Sequence, residues 1–206
     1  MLFLQSDVAD RILGLLAGAM KELVIGDPRM LLTDIGPVID AEALAGLQAH
    51  SERMDREGRL IARALLPASH SGHYFAPCAY EIDSIKRLER EVFGPVLHVV
   101  RYSARDLDQV IEDINNTHYG LTLGIHSRID RTQEYIAGKV RAGNCYINRN
   151  MIGAVVGVQP FGGERLSGTG PKAGGPHYMF RFATERTLTV NTAAVGGNAS
   201  LLELDD

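Results

Sequence analysis

Val96 to Asn148 reads VLHVVRYSARDLDQVIEDINNTHYGLTLGIHSRIDRTQEYIAGKVRAGNCYIN, and its periodicity changes four times. Val96–Tyr102 is an apolar run of strand length, Ala104–Asn115 has the periodicity of a helix, and Leu121–His126 is strand-like again. Arg131–Val140 then reads as a helix and Cys145–Asn148 as a short strand. Strands alternating with helices of about ten residues predict an α/β fold with a parallel sheet, because parallel neighbours need a long crossover between them.

Upstream, MLFLQ reads as a strand, and Ser6 is placed to cap a helix running to Met20 or Leu23, with Asp7 and Asp10 in its first turn. A turn at Gly26–Pro28 leads to a helix over Ala41–Glu57, then to strands over Arg59–Leu66 and Gly72–Glu81 split by a Pro-Ser-Gly loop. Downstream come a Gly-rich loop, a short segment near Tyr178–Phe182, a strand predicted by alternation over Thr187–Asn191, and a small-residue tail that turns acidic. A chain that opens directly on a core-like strand reads as a piece of a longer protein.

The chain has 206 residues, 45% hydrophobic and 22% charged, with a net charge of −4. That balance is ordinary for a globular domain, and without a Lys/Arg stripe it argues against a nucleic-acid partner. The apolar run Ile12–Met20 is too short to span a bilayer and follows acidic residues, so neither a membrane segment nor a signal peptide is expected. Two cysteines make no disulfide framework and no metal site, and a cytoplasmic setting is the simplest expectation.

Gln159–Pro176, QPFGGERLSGTGPKAGGP, contains a G-x-G-x-x-A match at Gly168–Ala173. A dinucleotide fingerprint requires a strand before the glycines and a helix after them, whose N-terminus holds the phosphates. Here Pro171 removes an amide and Gly174-Gly175-Pro176 blocks a helix, while Ala173 after Lys172 fails the Walker pattern. His70 and His73 lie in a Ser-Gly loop and read as solvated polar residues. Cys78 and Cys145 lack a neighbouring histidine, and Cys145 reads as a buried small hydrophobe on an apolar strand. Glu91–Val96, EVFGPV, has two accounts on its residues alone: a turn with a solvated acid, or a carboxylate for ribose hydroxyls beside an aromatic for a flat ring.

EVFGPV at Glu91, YGLTLGIHS at Tyr119, GNCYINRN at Gly143 and QPFGGERLSGTG at Gln159 together resemble the aldehyde dehydrogenase superfamily. The run INRNMIGAVVGVQPFGGERLSGTGPKAGGPHY and the tail TVNTAAVGGNASLL resemble, within it, the 1-pyrroline-5-carboxylate (L-glutamate γ-semialdehyde) dehydrogenase module of the bifunctional proline utilization A family. In that family a cysteine thiolate attacks the aldehyde, hydride passes to NAD, and a glutamate-activated water releases the acid. The resemblance implies that Glu91 binds the nicotinamide ribose, that Phe93 packs beside the nicotinamide and that Leu121 lies near that ring. It further implies that the Gly153 and Ala154 amides hold the substrate α-carboxylate and that Phe161 walls the aliphatic part of the aldehyde. FAD would belong only to a proline dehydrogenase module outside this stretch, and the parent would be a homo-oligomer.

The family nucleophile sits in a G-Q-R-C-S-like segment before a strand resembling LFLQSDVADRIL, and neither Cys78 nor Cys145 matches those surroundings. The resemblance therefore implies an incomplete catalytic domain over residues 1–183, with no catalytic residue of its own and no Rossmann domain. Residues 184–206 would be an oligomerisation strand and tail. The chain alone is expected to be inactive, and the alternative is a non-catalytic interaction or assembly module.

Overall fold

The structure is a computed structural model that describes residues 1–66, 72–155 and 157–191. In chain order the elements are strand β1 (Leu2–Gln5), helices α1 (Ser6–Lys21) and α2 (Ala41–Glu57), and strands β2 (Arg59–Arg63), β3 (Cys78–Glu81) and β4 (Val96–Tyr102). Helix α3 (Leu107–Asn115), strands β5 (Tyr119–Gly120) and β6 (Thr122–Ile125), helix α4 (Asp130–Lys139) and strands β7 (Asn144–Ile147) and β8 (Glu164–Arg165) follow.

The main sheet has the order β1-β4-β3-β2. β1 and β3 flank β4 in parallel, with Leu2 opposite Val99 and Cys78 opposite Val96. β2 runs antiparallel to β3, so this sheet is mixed where the sequence predicts parallel strands. The reason lies in the connection. No helix lies among the described residues between β2 and β3, whereas a parallel neighbour needs a long, usually helical crossover.

The alternation read in Val96–Asn148 is present, but its strands do not share a sheet. β6 pairs in parallel with β7, from Thr122 opposite Asn144 to Ile125 opposite Ile147. Both edges of β4 are occupied by β1 and β3, which leaves β6 no place beside it. β5 and β8 form a third, antiparallel pair.

Successive residues of β4 point to opposite faces, and each face carries a helix. Val99 joins Leu4, Ala9 and Leu13 under α1. Val100 joins Leu47, Met54, Phe75, Cys78, Tyr80 and Ile82 under α2. Burying each large apolar side chain here contributes roughly 1.5–3 kcal/mol. The buried Tyr80 hydroxyl is satisfied within that second layer by Ser51 Oγ and by Asp55 Oδ1, each at 2.8 Å. Arg63 Nη2 donates to both Asp55 oxygens, at 3.0 and 3.1 Å. The Tyr80 and Arg63 bonds hold the Asp55 carboxyl below its ordinary range.

The helix ends differ in part from expectation. Asp40 caps α2 by accepting from the Ala43 N–H at 2.8 Å. Ser6 does not cap α1: its Oγ donates to the Tyr102 carbonyl at 3.0 Å and ties the helix start to the end of β4. Asp10 pairs with Arg101 of β4 at 2.7 Å. Residues Ala104–Asp106 form a 3-10 turn before α3.

Cys145 is exposed, not buried. β7 alternates, so Asn144 and Tyr146 face inward and Cys145 and Ile147 outward. Thr187–Asn191 forms no strand and joins none of the sheets among the described residues. Residues 192–206, the predicted tail, and His70 lie outside the described residues.

Candidate active site

The loop after Arg87 carries Glu91 and Phe93 onto β4. Gly94 lets it lie against α2: a Cβ there would come within 2.5 Å of a Leu47 methyl. The Pro95 carbonyl accepts from the Cys78 N–H at 3.1 Å, which fixes the loop to the head of β3. Beside it opens a cavity of about 670 Å³, bounded by Glu91, Val96, His98, Leu121, Arg141 and Ser167.

Leu121 reaches this cavity from the opposite wall. Gly120 permits the approach, because a Cβ there would meet the Arg141 carbonyl at 2.3 Å. The Gly120 and Leu121 carbonyls accept from Gly143 and Asn144 N–H groups, both at 3.0 Å, joining the wall to β7. Phe93 is 88% exposed and lines a neighbouring cavity of about 280 Å³ together with Glu91 and His50.

His98, buried in β4, forms one boundary of the larger cavity. Its Nε2 lies 2.8 Å from Nε2 of His50 on α2, with the two rings edge to face. Burial, and then the charge of His50, push the His98 imidazole down to about 4. Burial and then Arg53 lower His50 as well. Two neutral rings can share one N–H···N bond, so the pair links α2 to β4 without a charge.

The loop after β7 carries Gly153 and Ala154. Gly153 has φ +69, a left-handed conformation for which glycine is suited, and its carbonyl accepts from the Tyr146 hydroxyl at 3.3 Å. The N–H groups of Gly153 and Ala154 make no hydrogen bond to another described residue, whereas the Val155 N–H donates to Gln159 Oε1 at 3.3 Å. Phe161 is half-buried and exchanges backbone bonds with Ala173 at 3.0 and 2.9 Å. Glu91 and Leu121 thus share one cavity and Phe93 adjoins it, while Gly153, Ala154 and Phe161 do not line it.

Sequence reasoning passed over His98, Arg165 and Ser167. The one available signal was a histidine inside the apolar run VLHVV. Arg165 and Ser167 carried none beyond belonging to a glycine-rich loop. Among the described residues no α-helix follows Gly168–Ala173, whereas a phosphate loop needs a helix N-terminus there.

Residues 1–188 match the aldehyde dehydrogenase family, and the chain belongs to it. It is 52% identical over 191 residues to the bifunctional protein PutA of Klebsiella aerogenes, covering 90% of this chain and 15% of that protein. Among solved structures, a mutant of Bradyrhizobium japonicum proline utilization A superposes with a TM-score of 0.88 at 57% identity, over 94% of this chain and 20% of that one. A 1-pyrroline-5-carboxylate dehydrogenase from Thermus, solved with bound NAD, gives a TM-score of 0.76 at 34% identity, over 87% and 34%. The chain therefore spans only a minor part of the relatives it matches. No helix among the described residues is long and apolar enough to cross a membrane.

Proposed function

We propose that this chain contributes cofactor- and substrate-facing walls to an NAD-dependent dehydrogenase that oxidises L-glutamate γ-semialdehyde, in equilibrium with 1-pyrroline-5-carboxylate, to L-glutamate in proline catabolism. The observation that carries this is the meeting of Glu91 and Leu121, from separate segments, in one cavity of about 670 Å³. That volume suits a small-ligand site, typically some 300–1,000 Å³.

A carboxylate accepts hydrogen bonds without donating, which matches the two donors of a ribose diol and supports Glu91 in that role. Leu121 and Phe93 offer apolar surface for the nicotinamide ring. NAD, when bound, supplies the hydride acceptor. Gly153 and Ala154 offer adjacent backbone N–H groups without partners among the described residues, in a left-handed turn suited to an anion such as the substrate α-carboxylate. Phe161 would wall the aliphatic chain. FAD has no role in this stretch, the setting is cytoplasmic, and the parent is a homo-oligomer.

The chain has no catalytic residue of its own on this reading. The thiolate is the nucleophile in covalent aldehyde oxidation; burial raises the Cys78 thiol above its ordinary range, and partial desolvation raises that of Cys145 although the residue is exposed. Incubated with NAD and glutamate semialdehyde, the chain should produce no NADH yet retain NAD in equilibrium dialysis. Glu91→Gln should weaken that retention by about ten-fold, as loss of a charge-assisted hydrogen bond does. Appreciable turnover, or equal retention by the variant, would refute the assignment.

A second reading is an assembly module. Met179, Phe180, Phe182, Leu188 and Val190 are all at least two-thirds exposed along one C-terminal segment, more apolar surface than a solitary soluble segment usually shows. Sedimentation separates the two: a monodisperse monomer at all concentrations speaks against assembly.

A further inference from the structure

The wall that presents Leu121 has little apolar support. Tyr119 and Leu121 are exposed, and β5 is only two residues long. Its hold is polar and comes from the turn Glu164–Ser167. Tyr119 pairs with Arg165 across the β5–β8 ladder. The Leu166 N–H donates to the His118 carbonyl at 3.1 Å, and the Gly120 N–H to Ser167 Oγ at 3.0 Å.

The Arg165 side chain adds a second layer of bonds. Its Nη2 donates to the Tyr119 carbonyl at 3.0 Å and to the Arg141 carbonyl at 3.4 Å, and its Nη1 donates to the Asn115 carbonyl. One planar guanidinium therefore bridges the end of α3, the strand β5 and the loop entering β7. Tyr119 and Arg141 themselves line the cavity that Glu91 and Leu121 share. The arrangement carries local costs. Arg165 has φ +57, rare for a residue with a Cβ, and its Nε is buried without an acceptor among the described residues. Such an outlier, held by one set of bonds, points to a role for those bonds.

We propose that Arg165 is the positioning residue for the Leu121 wall of this cavity, acting through the Tyr119, Arg141 and Asn115 carbonyls and so setting affinity for the nicotinamide cofactor. The cofactor part rests on the NAD assignment above. A lysine cannot replace it, because a single ammonium is a compact point charge that does not span three carbonyls held in a fork.

The test uses the 206-residue chain, with NAD as the probe and two variants. Arg165→Gly removes the guanidinium while suiting φ +57, and Arg165→Lys keeps the charge. In the parent chain NAD should shift the Leu121 methyl resonances. In Arg165→Gly the Gly120 and Gly143 amides should exchange about ten-fold faster while those of β1 and β4 stay unchanged, the sign of a local opening. NAD affinity should fall by about ten-fold, and methylguanidinium should restore part of it, as refilling a vacated hydrogen-bonding site does. Unchanged exchange at Gly120 and Gly143, or an equal rise throughout the chain, overturns the positioning role. A loosened wall that binds NAD with parent affinity overturns the link to the cofactor. A loosened wall in the variant with no NAD response in the parent refutes the NAD assignment alone and leaves the hold of Arg165 on the wall standing. Should Arg165→Gly fail to fold, Arg165→Lys carries the same comparisons.

Discussion

The sheet built from β1 to β4 and the segment after β7 are held by different forces. In the first, both faces close on apolar clusters, with Val99 under α1 and Val100 under α2. In the second, no hydrophobic side chain after Tyr146 is buried among the described residues. Close backbone approaches and single polar side chains take over there. A Cβ on Gly143 would lie 1.9 Å from the Gly162 carbonyl, and the buried Asn144 amide binds Pro160 and Gly162 at 2.9 and 3.2 Å. The proposed cofactor cavity lies on the border, with Glu91 seated on the apolar side and Leu121 on the polar side. Apolar burial is non-directional and sets a layer, whereas hydrogen bonds with fixed geometry set the position of one wall.

That contrast can be broken or sharpened by experiment. Met54, fully buried on the inner face of α2, should cost the most: Met54→Ala should lower unfolding stability by about 2–5 kcal/mol, read from the urea midpoint. An effect below that range would mean the second apolar cluster is not what holds the sheet. Gly143→Ala should cost about 1–3 kcal/mol, since the opposing atom is a backbone carbonyl that cannot rotate away. Its loss of amide protection should be confined to residues near 143 and 162–163. If the amides of β4 lose protection equally, the two regions are one cooperative unit.

The pH dependence of the His50–His98 contact comes next. The folded state lowers His98 from 6.5 to about 4, so it favours the neutral ring. The stabilisation is present above about 6.5 and is lost as pH falls toward 4, because the unfolded chain takes up the proton first. Urea midpoints should fall between neutral pH and pH about 5, and His98→Asn should flatten that fall. An unchanged slope in the variant would assign it elsewhere. The smallest change should come from Phe93→Ala: with the ring 88% exposed, stability should stay within about 0.5 kcal/mol while NAD retention weakens. Lost stability without lost NAD would make Phe93 a packing residue.

Much of the fold was legible because periodicity is a local property. Val96–Tyr102, Ala41–Glu57 and the β6–α4–β7 alternation lie where their patterns put them. Which strands pair was not legible. β2 turns antiparallel and β6 pairs away from β4, because neighbours are chosen by connection geometry and by which edges are free. Cys145 faced outward for a similar reason: a strand of four residues, Asn144–Ile147, places its inward face by register, and a polar Asn144 took the buried side to bind the glycine loop. Thr187–Asn191 alternates as a strand does, yet alternation supplies no partner.

Of the site, EVFGPV and YGL were recognisable as motifs, and Gly153 as a residue suited to a left-handed turn. His98 and Arg165 were not. A histidine's neighbour across two elements and an arginine's three carbonyls have no signature in spacing along the chain. The sequence by itself determined the periodic elements and the motifs by which it resembles a dehydrogenase family, and it offered candidates for ribose, ring and carboxylate without choosing between accounts. Only the tertiary structure decided that Glu91 and Leu121 face one cavity and that the Arg165 guanidinium bonds the segments around Leu121. Side-chain chemistry is carried residue by residue, whereas convergence depends on distances between segments far apart in the chain.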